Sequence, residues 1–378
     1  MKKSKNKGIT LVALVITIIV LLILSGISIS VLTNTEIIQK VKDAKEKSEN
    51  AKMQENEYMY SYEKEINKYT AQELTSEKIN TILSEKENTF LKDAEGNIFV
   101  LPAGFKVVDT GDITAEKGIV IEDEKGNQYV WIPCTIEENE EKLQYKRTEW
   151  EVESDNDTRA SRDELTLANE ICSSDDIENG LTEERKIEIV EQVKNEKESV
   201  NKNGGYYIGR YEVGNENNIT VIKADQEPYT EIMWYQAYEL AKGIGGGEGA
   251  TTYLCSSYAW DTAINFIQNT GTTNYATIRN GFNENWKDKK VQDNSGKTIK
   301  EENTEKRLKT GKTTAKSNIF DLGGNVAEFT TEINPNTDEP IVLRGGNYRT
   351  YRASGDRCDI GATSSYTDRG IRVTLFLK

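Results

Sequence analysis

Apolar and polar positions divide the chain into successive stretches of different character. Ile9 to Leu32 runs without one charged residue. As a helix it would span about 36 Å, enough for a bilayer core of about 30 Å. Residues 34–70 are rich in Glu, Lys and Asn and hold neither Pro nor Gly. Thr35 can cap a helix start, and Ile37, Ile38, Val41 and Ala44 form a short stripe, so a polar helix is expected as a stalk over residues 33–85. Short strand patterns follow: 97–102, 105–108, 118–121 and 128–133, the last two joined by the turn-rich Asp123-Glu124-Lys125-Gly126-Asn127. Residues 135–203 are acidic, with helix-prone parts such as Leu181 to Lys197, and lack dense apolar periodicity, which predicts a surface insertion or mobile arm. Gly204 to Gly214 reads as a strand pair, and 231–242 and 256–268 as helices. Residues 271–316 read as polar loop.

Composition narrows the chemistry. The 378 residues carry 48 Lys and Arg against 63 Asp and Glu, a net charge of −15. Such a chain repels phosphate backbones, so nucleic acid is not an expected partner. There is no histidine, which removes Ser-His-Asp and Cys-His catalysis and imidazole-based metal sites. Cys134, Cys172, Cys255 and Cys358 are far apart and form no C-x-x-C, so buried or idle thiols are expected.

The border of the apolar run is more specific. Lys2, Lys3, Lys5 and Lys7 precede Gly8, and Ile9-Thr10-Leu11 opens the run. The lysines predict a cytoplasmic leader, residues 1–8, and a membrane anchor through Ile9 to Leu32. This segment resembles the type IV prepilin family. The resemblance implies cleavage between Gly8 and Ile9, a pilin-like helix and contact with other pilins. One departure is Ala13, where pilins usually carry glutamate. A carboxylate there pairs with a neighbour's amine, since an unpaired charge in a bilayer is expensive. Its loss points to a tip subunit or simple membrane display.

The C-terminal third carries a second resemblance. Asn318 to Phe329 reads NIFDLGGNVAEF, Val342 to Tyr348 reads VLRGGNY, and Gly370-Ile371-Arg372-Val373 lies near the end. These are similar to the G-L-Y-D-M-x-G-N-V-W-E-W, V-L-R-G-G-S-W and G-F-R-V motifs of the formylglycine-generating enzyme (sulfatase-modifying factor) family. Tyr211-Glu212-Val213 and Met233-Trp234-Tyr235-Gln236-Ala237 resemble two of its upstream motifs. The resemblance covers residues 98–378 and implies an α+β, C-type-lectin-like domain. The family's catalytic cysteines would fall at Thr350 and Gly355, which cannot serve as thiolates, so the chain is expected not to be an enzyme. A divergent oxidase using Cys358 with Cys255 or Cys134 is the alternative, and a structural minor pilin a third reading. The family's calcium loop would place Ca²⁺ on the Asp321 and Glu328 side chains and the Gly324 and Val326 carbonyls, a hard-oxygen set.

Residues 347–370 lack Lys, Glu, Gln, Met and Trp in a chain otherwise full of Lys and Glu. They combine aromatics and arginines with small polar residues, as a paratope does. The expected contact residues are Asn347, Tyr348, Arg349, Thr350, Tyr351, Arg352, Ser354, Asp356, Arg357, Asp359, Ser364, Tyr366 and Asp368. This palette resembles the variable proteins of diversity-generating retroelements. The expected function is non-catalytic binding of an extracellular protein or glycan at the cell surface or a pilus tip.

Overall fold

The structure is a computed structural model that describes residues 35–138, 141–151, 163–169, 180–293, 295–334 and 339–378. Gly8, Ile9, Ala13, the run to Leu32 and Cys172 lie outside the described residues. Among the described residues no helix is long and apolar enough to cross a membrane. The chain divides into two units, Met1–Glu63 and Lys64–Lys378.

Helix α1 spans Thr35–Thr70. An uninterrupted run of good helix formers, free of Gly and Pro, explains its length. It ends well before residue 85. The next residues begin a three-stranded sheet in which Gln72–Glu73 pairs in parallel with Thr89–Lys92, which pairs antiparallel with Ile98–Leu101.

The second unit is mixed α+β. We label β1 (Lys106–Val107), β2 (Val120–Glu122), β3 (Gln128–Pro133), β4 (Gly205–Gly209), β5 (Ala250–Leu254), β6 (Ala327–Ile333), β7 (Ile341–Arg344), β8 (Cys358–Ile360), β9 (Arg369–Ile371) and β10 (Val373–Leu377). One sheet has the order β5-β10-β4-β3-β2-β1, antiparallel throughout, with Trp131 opposite Tyr207 and Thr374 opposite Ile208. A second has the order β8-β7-β6-β9, in which β6 and β9 run parallel. The β2–β3 hairpin closes as expected. Asp123 N donates to Asn127 O, and Gly126 takes φ 83°, which costs glycine little. The same Asp-x-x-Gly turn recurs at Asp93–Asn97 and Asp293–Lys297. The expected pair within 204–214 is not formed: β4 sits between β3 and β10, and Gly214–Glu216 pairs elsewhere with Ile219–Val221.

Successive side chains of β3 point to opposite faces, and both faces are covered. Tyr129 and Trp131 join one apolar cluster with helix α3 (Trp234–Ile244), through Trp234, Ala237 and Tyr238. Val130 and Ile132 join another with helix α4 (Ser257–Asn269), through Trp260, Ala263 and Ile264. Two buried aromatics satisfy their polar ends, Trp234 Nε1 donating to Thr330 O at 2.8 Å and Tyr207 Oη to Val100 O at 2.7 Å, whereas Tyr129 Oη and Trp131 Nε1 have no hydrogen-bond partner among the described residues.

The acidic insertion departs from expectation. Its residues Glu183–Asn203 form helix α2, capped by Thr182 and ended by Gly204 in the left-handed region. Ile189, Val193 and Val200 are buried with no exposure. The helix-prone pattern is borne out, but the turn between Val193 and Val200 presents Glu196 instead of an apolar residue, which hid that this face is buried. Glu196 is satisfied by Ser256 Oγ at 2.6 Å, Tyr145 Oη at 2.7 Å and Gln192 Nε2 at 2.9 Å. Burial still pushes its carboxyl up to about 7, against those hydrogen bonds. The helix Glu183–Asn203 of the insertion is part of the core, not an arm.

Candidate binding surface

Three sequence motifs meet in the middle of the second unit. Asn325 sits at φ 54°, where asparagine is favoured among non-glycine residues. Its Nδ2 donates to Glu212 Oε2 at 2.7 Å, and its Oδ1 accepts from Leu308 N and Asn285 Nδ2, both at 2.9 Å. Val326 N donates to Glu212 Oε1 at 3.0 Å. The Tyr-Glu-Val and Gly-Asn-Val segments are therefore joined through one buried carboxylate. Glu328, next on β6, accepts from Arg372 Nε at 2.8 and 2.9 Å. Arg372 also donates to Gly209 O and Phe320 O, both at 2.9 Å.

That pairing bears on calcium. The Glu328 carboxylate, expected to face the ion, faces a guanidinium that would repel one. The Asp321 carboxylate accepts from Thr313 Oγ1 at 2.5 Å. Among the described residues no group of three His, Cys, Asp or Glu side chains is arranged to hold a metal. The set Asp321, Gly324, Val326 and Glu328 does not fit Ca²⁺ as the resemblance implied, because an internal cation already serves Glu328.

Beyond β7 the chain turns through Gly345 and Gly346, at φ 85° and 69°. A Cβ on Gly345 would fall 2.7 Å from Leu322 O, so both position and conformation demand glycine. Arg344, just before the turn, is buried. It donates to Glu332 Oε2 at 2.8 Å, to Asp261 Oδ1 at 2.6 Å and to Asp356 O at 3.1 Å. Arg357 closes the other side, reaching Asp261 Oδ2 at 2.7 Å and Glu332 Oε1 at 2.5 Å. Arg147 joins Glu332 at 3.2 Å. Burial alone would raise the Glu332 carboxyl, but Arg357, Arg344 and Arg147 hold it well below the usual carboxylate range.

This ring divides the expected contact residues into two groups. Arg357 is 7% exposed and Tyr348 4%. Asn347, Ser354, Asp356 and Asp359 are also buried. Each has inward work. Asn347 Oδ1 accepts from Arg349 N and Thr350 N, both at 2.9 Å, shaping the turn. Tyr348 N donates to Asn325 O, and Ser354 O accepts from Trp260 Nε1 at 3.2 Å. Asp356 Oδ2 accepts from Ala353 N at 2.8 Å, and Asp359 Oδ2 from Asn334 Nδ2 at 3.1 Å. These six are largely enclosed and hold the loop from beneath, although Asn347 and Asp356 also line the cavity described below.

The second group faces outward. Tyr351 is 56% exposed and Tyr366 53%. Arg349 and Thr350 are exposed, and Arg352, Ser364 and Asp368 half-buried. Arg279 lies over the Tyr351 ring at 5.4 Å, Arg369 over Tyr366 at 4.1 Å and Arg349 over Tyr348 at 4.9 Å. Trp286 stands 6.0 Å from Tyr351, with Lys287 over it. Arg279, Trp286 and Lys287 come from the stretch read as plain polar loop. A tryptophan and an arginine within that loop were the available signal. The result is a cationic, aromatic surface on an acidic chain.

A cavity of about 90 Å³ opens beneath the surface, lined in part by Thr350, Arg352, Cys358, Asp368 and Arg369. Of the three described cysteines, only Cys358 reaches it. Cys134 and Cys255 are buried, and burial pushes both thiols well up. At the second cysteine position of the family, a Cβ on Gly355 would lie 2.7 Å from Ala276 O and 2.9 Å from the Trp150 ring. That space has closed over.

No family model matches this chain, and no curated protein matches it. Among solved structures, the chain is similar to the crystal structure of CarF, with 12% identity and a TM-score of 0.33 over 46% of this chain and 87% of that one. It is also similar to Treponema denticola variable protein 1, with 18% identity and a TM-score of 0.30 over 45% of this chain and 84% of that one.

Proposed function

We propose that this chain is a non-catalytic binding protein whose contact surface is the outward face of residues 349–366 with the neighbouring Arg279 and Trp286. One observation carries the reading. Exposed Tyr351 and Tyr366, each with an arginine at its ring, stand on a loop whose other side is locked by paired buried charges. Large aromatics held in place lose little entropy on binding. Thr350 and Gly355 stand where the resemblance would place the two catalytic cysteines, and a Cβ at Gly355 would meet Ala276 O and the Trp150 ring, which supports a non-catalytic reading.

The charge-free run Ile9 to Leu32 after a lysine-rich leader supports membrane anchoring, with this surface displayed outside the cell. Fractionation with and without cleavage at Gly8 tests that part. The binding reading is tested by probing protein and glycan arrays with the intact chain and with a Tyr351→Ala/Tyr366→Ala/Arg352→Ala variant. A specific array signal lost in the variant supports the reading. A signal retained at full strength would sink it.

A further inference from the structure

The cavity beneath the contact surface has a floor of its own. Ala327, Leu343, Cys358, Ile360 and Arg369 line it, from all four strands of the β8-β7-β6-β9 sheet. Leu343 stands opposite Phe329 and Cys358, and Ala327 opposite Arg369. Opposite residues share a face, as do residues two apart on a strand, so the register puts all five side chains on one face of the sheet. Ala327, Leu343 and Ile360 are buried. This floor is apolar, and two charged groups at its edge lack partners. Arg369 stacks on the Tyr366 ring, but its Nη1 is buried without a hydrogen bond among the described residues. Asp368 Oδ2 accepts from Asn347 Nδ2 at 3.3 Å and lies 3.9 Å from Arg349 Nη1, whereas its Oδ1 is also buried without a partner. The other charges on the wall are engaged: Arg344 with Asp261 and Glu332, Asp356 with Ala353 N, and Arg352 with Cys358 Sγ at 3.5 Å.

A buried charged atom without a partner is costly, and in a native fold it marks a water, ion or ligand that completes it. Here the two are of opposite sign. An anion alone would leave Asp368 Oδ1 unserved, and a cation alone would leave Arg369 Nη1. The volume of about 90 Å³ equals about three waters at roughly 30 Å³ each, which excludes a bulky solute. We propose that the cavity binds a small free α-amino acid, its carboxylate at Arg369, its ammonium at Asp368 and a methyl-sized side chain over Ala327, Leu343 and Ile360. The site shares Thr350, Arg352 and Asp368 with the contact surface, but it does not rest on a macromolecule binding there.

Isothermal titration calorimetry on the full chain in detergent compares glycine and L-alanine with acetate, methylammonium and L-tryptophan at one ionic strength. Glycine and L-alanine should bind at least about tenfold more tightly than acetate or methylammonium, which offer one charge-assisted bond instead of two. L-Tryptophan should not bind. Arg369→Met and Asp368→Asn should each weaken L-alanine at least about tenfold, while Asp368→Asn leaves acetate unchanged. The melting temperature without ligand checks that each variant folds; where one does not, the solute series on the unaltered chain decides. Binding of none of the solutes overturns the proposal and leaves the cavity to water. Acetate binding as tightly as L-alanine also overturns it, making this an anion site only. So does full-strength binding of L-alanine by a folded Arg369→Met or Asp368→Asn variant. Array signals report macromolecule contact alone, so the two readings fail separately.

Discussion

Tyr351 and Arg357 stand six residues apart in one loop, and their surroundings give them opposite work. Tyr351 is open to solvent, with Arg279 and Trp286 beside its ring. Arg357 is enclosed between Asp261 and Glu332. The outward residues meet water in the free protein and are available to a ligand. The inward ones are tied by hydrogen bonds and ion pairs to the rest of the fold. A buried ion pair is a poor source of net stability but a strict demand on geometry, since removing one partner strands the other. The loop is thus rigid from below and chemically open from above.

The largest expected effect is on stability. Arg357→Ala leaves Glu332 and Asp261 short of a partner and should cost about 3–5 kcal/mol, whereas Tyr351→Ala should change stability by about 0.5 kcal/mol or less. Urea unfolding followed by circular dichroism compares them. Equal small losses would erase the distinction between the two faces.

A pH series separates two buried glutamates of opposite sign. Glu332 is held below its ordinary value of 4.5, so its stabilisation is present above that pH and fades as pH falls below it. Glu196 is raised from 4.5 to about 7, so its contribution is present below 4.5 and is lost as pH rises towards 7. That loss amounts to about 3 kcal/mol. Glu196→Gln should flatten the decline of melting temperature between those limits and leave the acid side unchanged. A decline unaltered by Glu196→Gln would remove Glu196 as its source.

The next effect is on affinity. Once a ligand is in hand, Tyr351→Ala and Tyr366→Ala should each weaken binding by about 2 kcal/mol, roughly 30-fold, with the melting temperature preserved. Sequencing the gene across a population sharpens the same contrast. Substitutions should collect at codons 349–352 and 363–366 and spare 354, 356, 357 and 359. Changes spread evenly over both sets would contradict the division. The smallest effect expected is from calcium: with Arg372 already serving Glu328, adding Ca²⁺ or a chelator should leave the melting temperature where it was. A clear rise with Ca²⁺ would restore the metal site.

Much of this was legible locally. The β2–β3 hairpin, α3, α4 and the existence of α1, though not its end at Thr70, follow from turn chemistry, helical period and the absence of helix breakers. The Gly345-Gly346 turn and the Tyr-rich loop also announce themselves as residue types. Pairing across the fold was not legible. Alternation placed β3 as a strand but did not show that both its faces would be covered. Glu196 looked like one more surface acid, because nothing local says that Tyr145 and Ser256 will meet it.

The sequence by itself determined which segments become helix, hairpin or loop, and that the loop over residues 347–370 carries an unusual set of side chains. Only the tertiary structure decided which of those side chains face a ligand. Arginine suits a binding surface and a buried ion pair equally well. What distinguishes Arg349 from Arg357 is the arrival of Asp261 and Glu332 from distant parts of the chain. Burial and charge neutralisation are set by those long-range neighbours, and no local pattern encodes them.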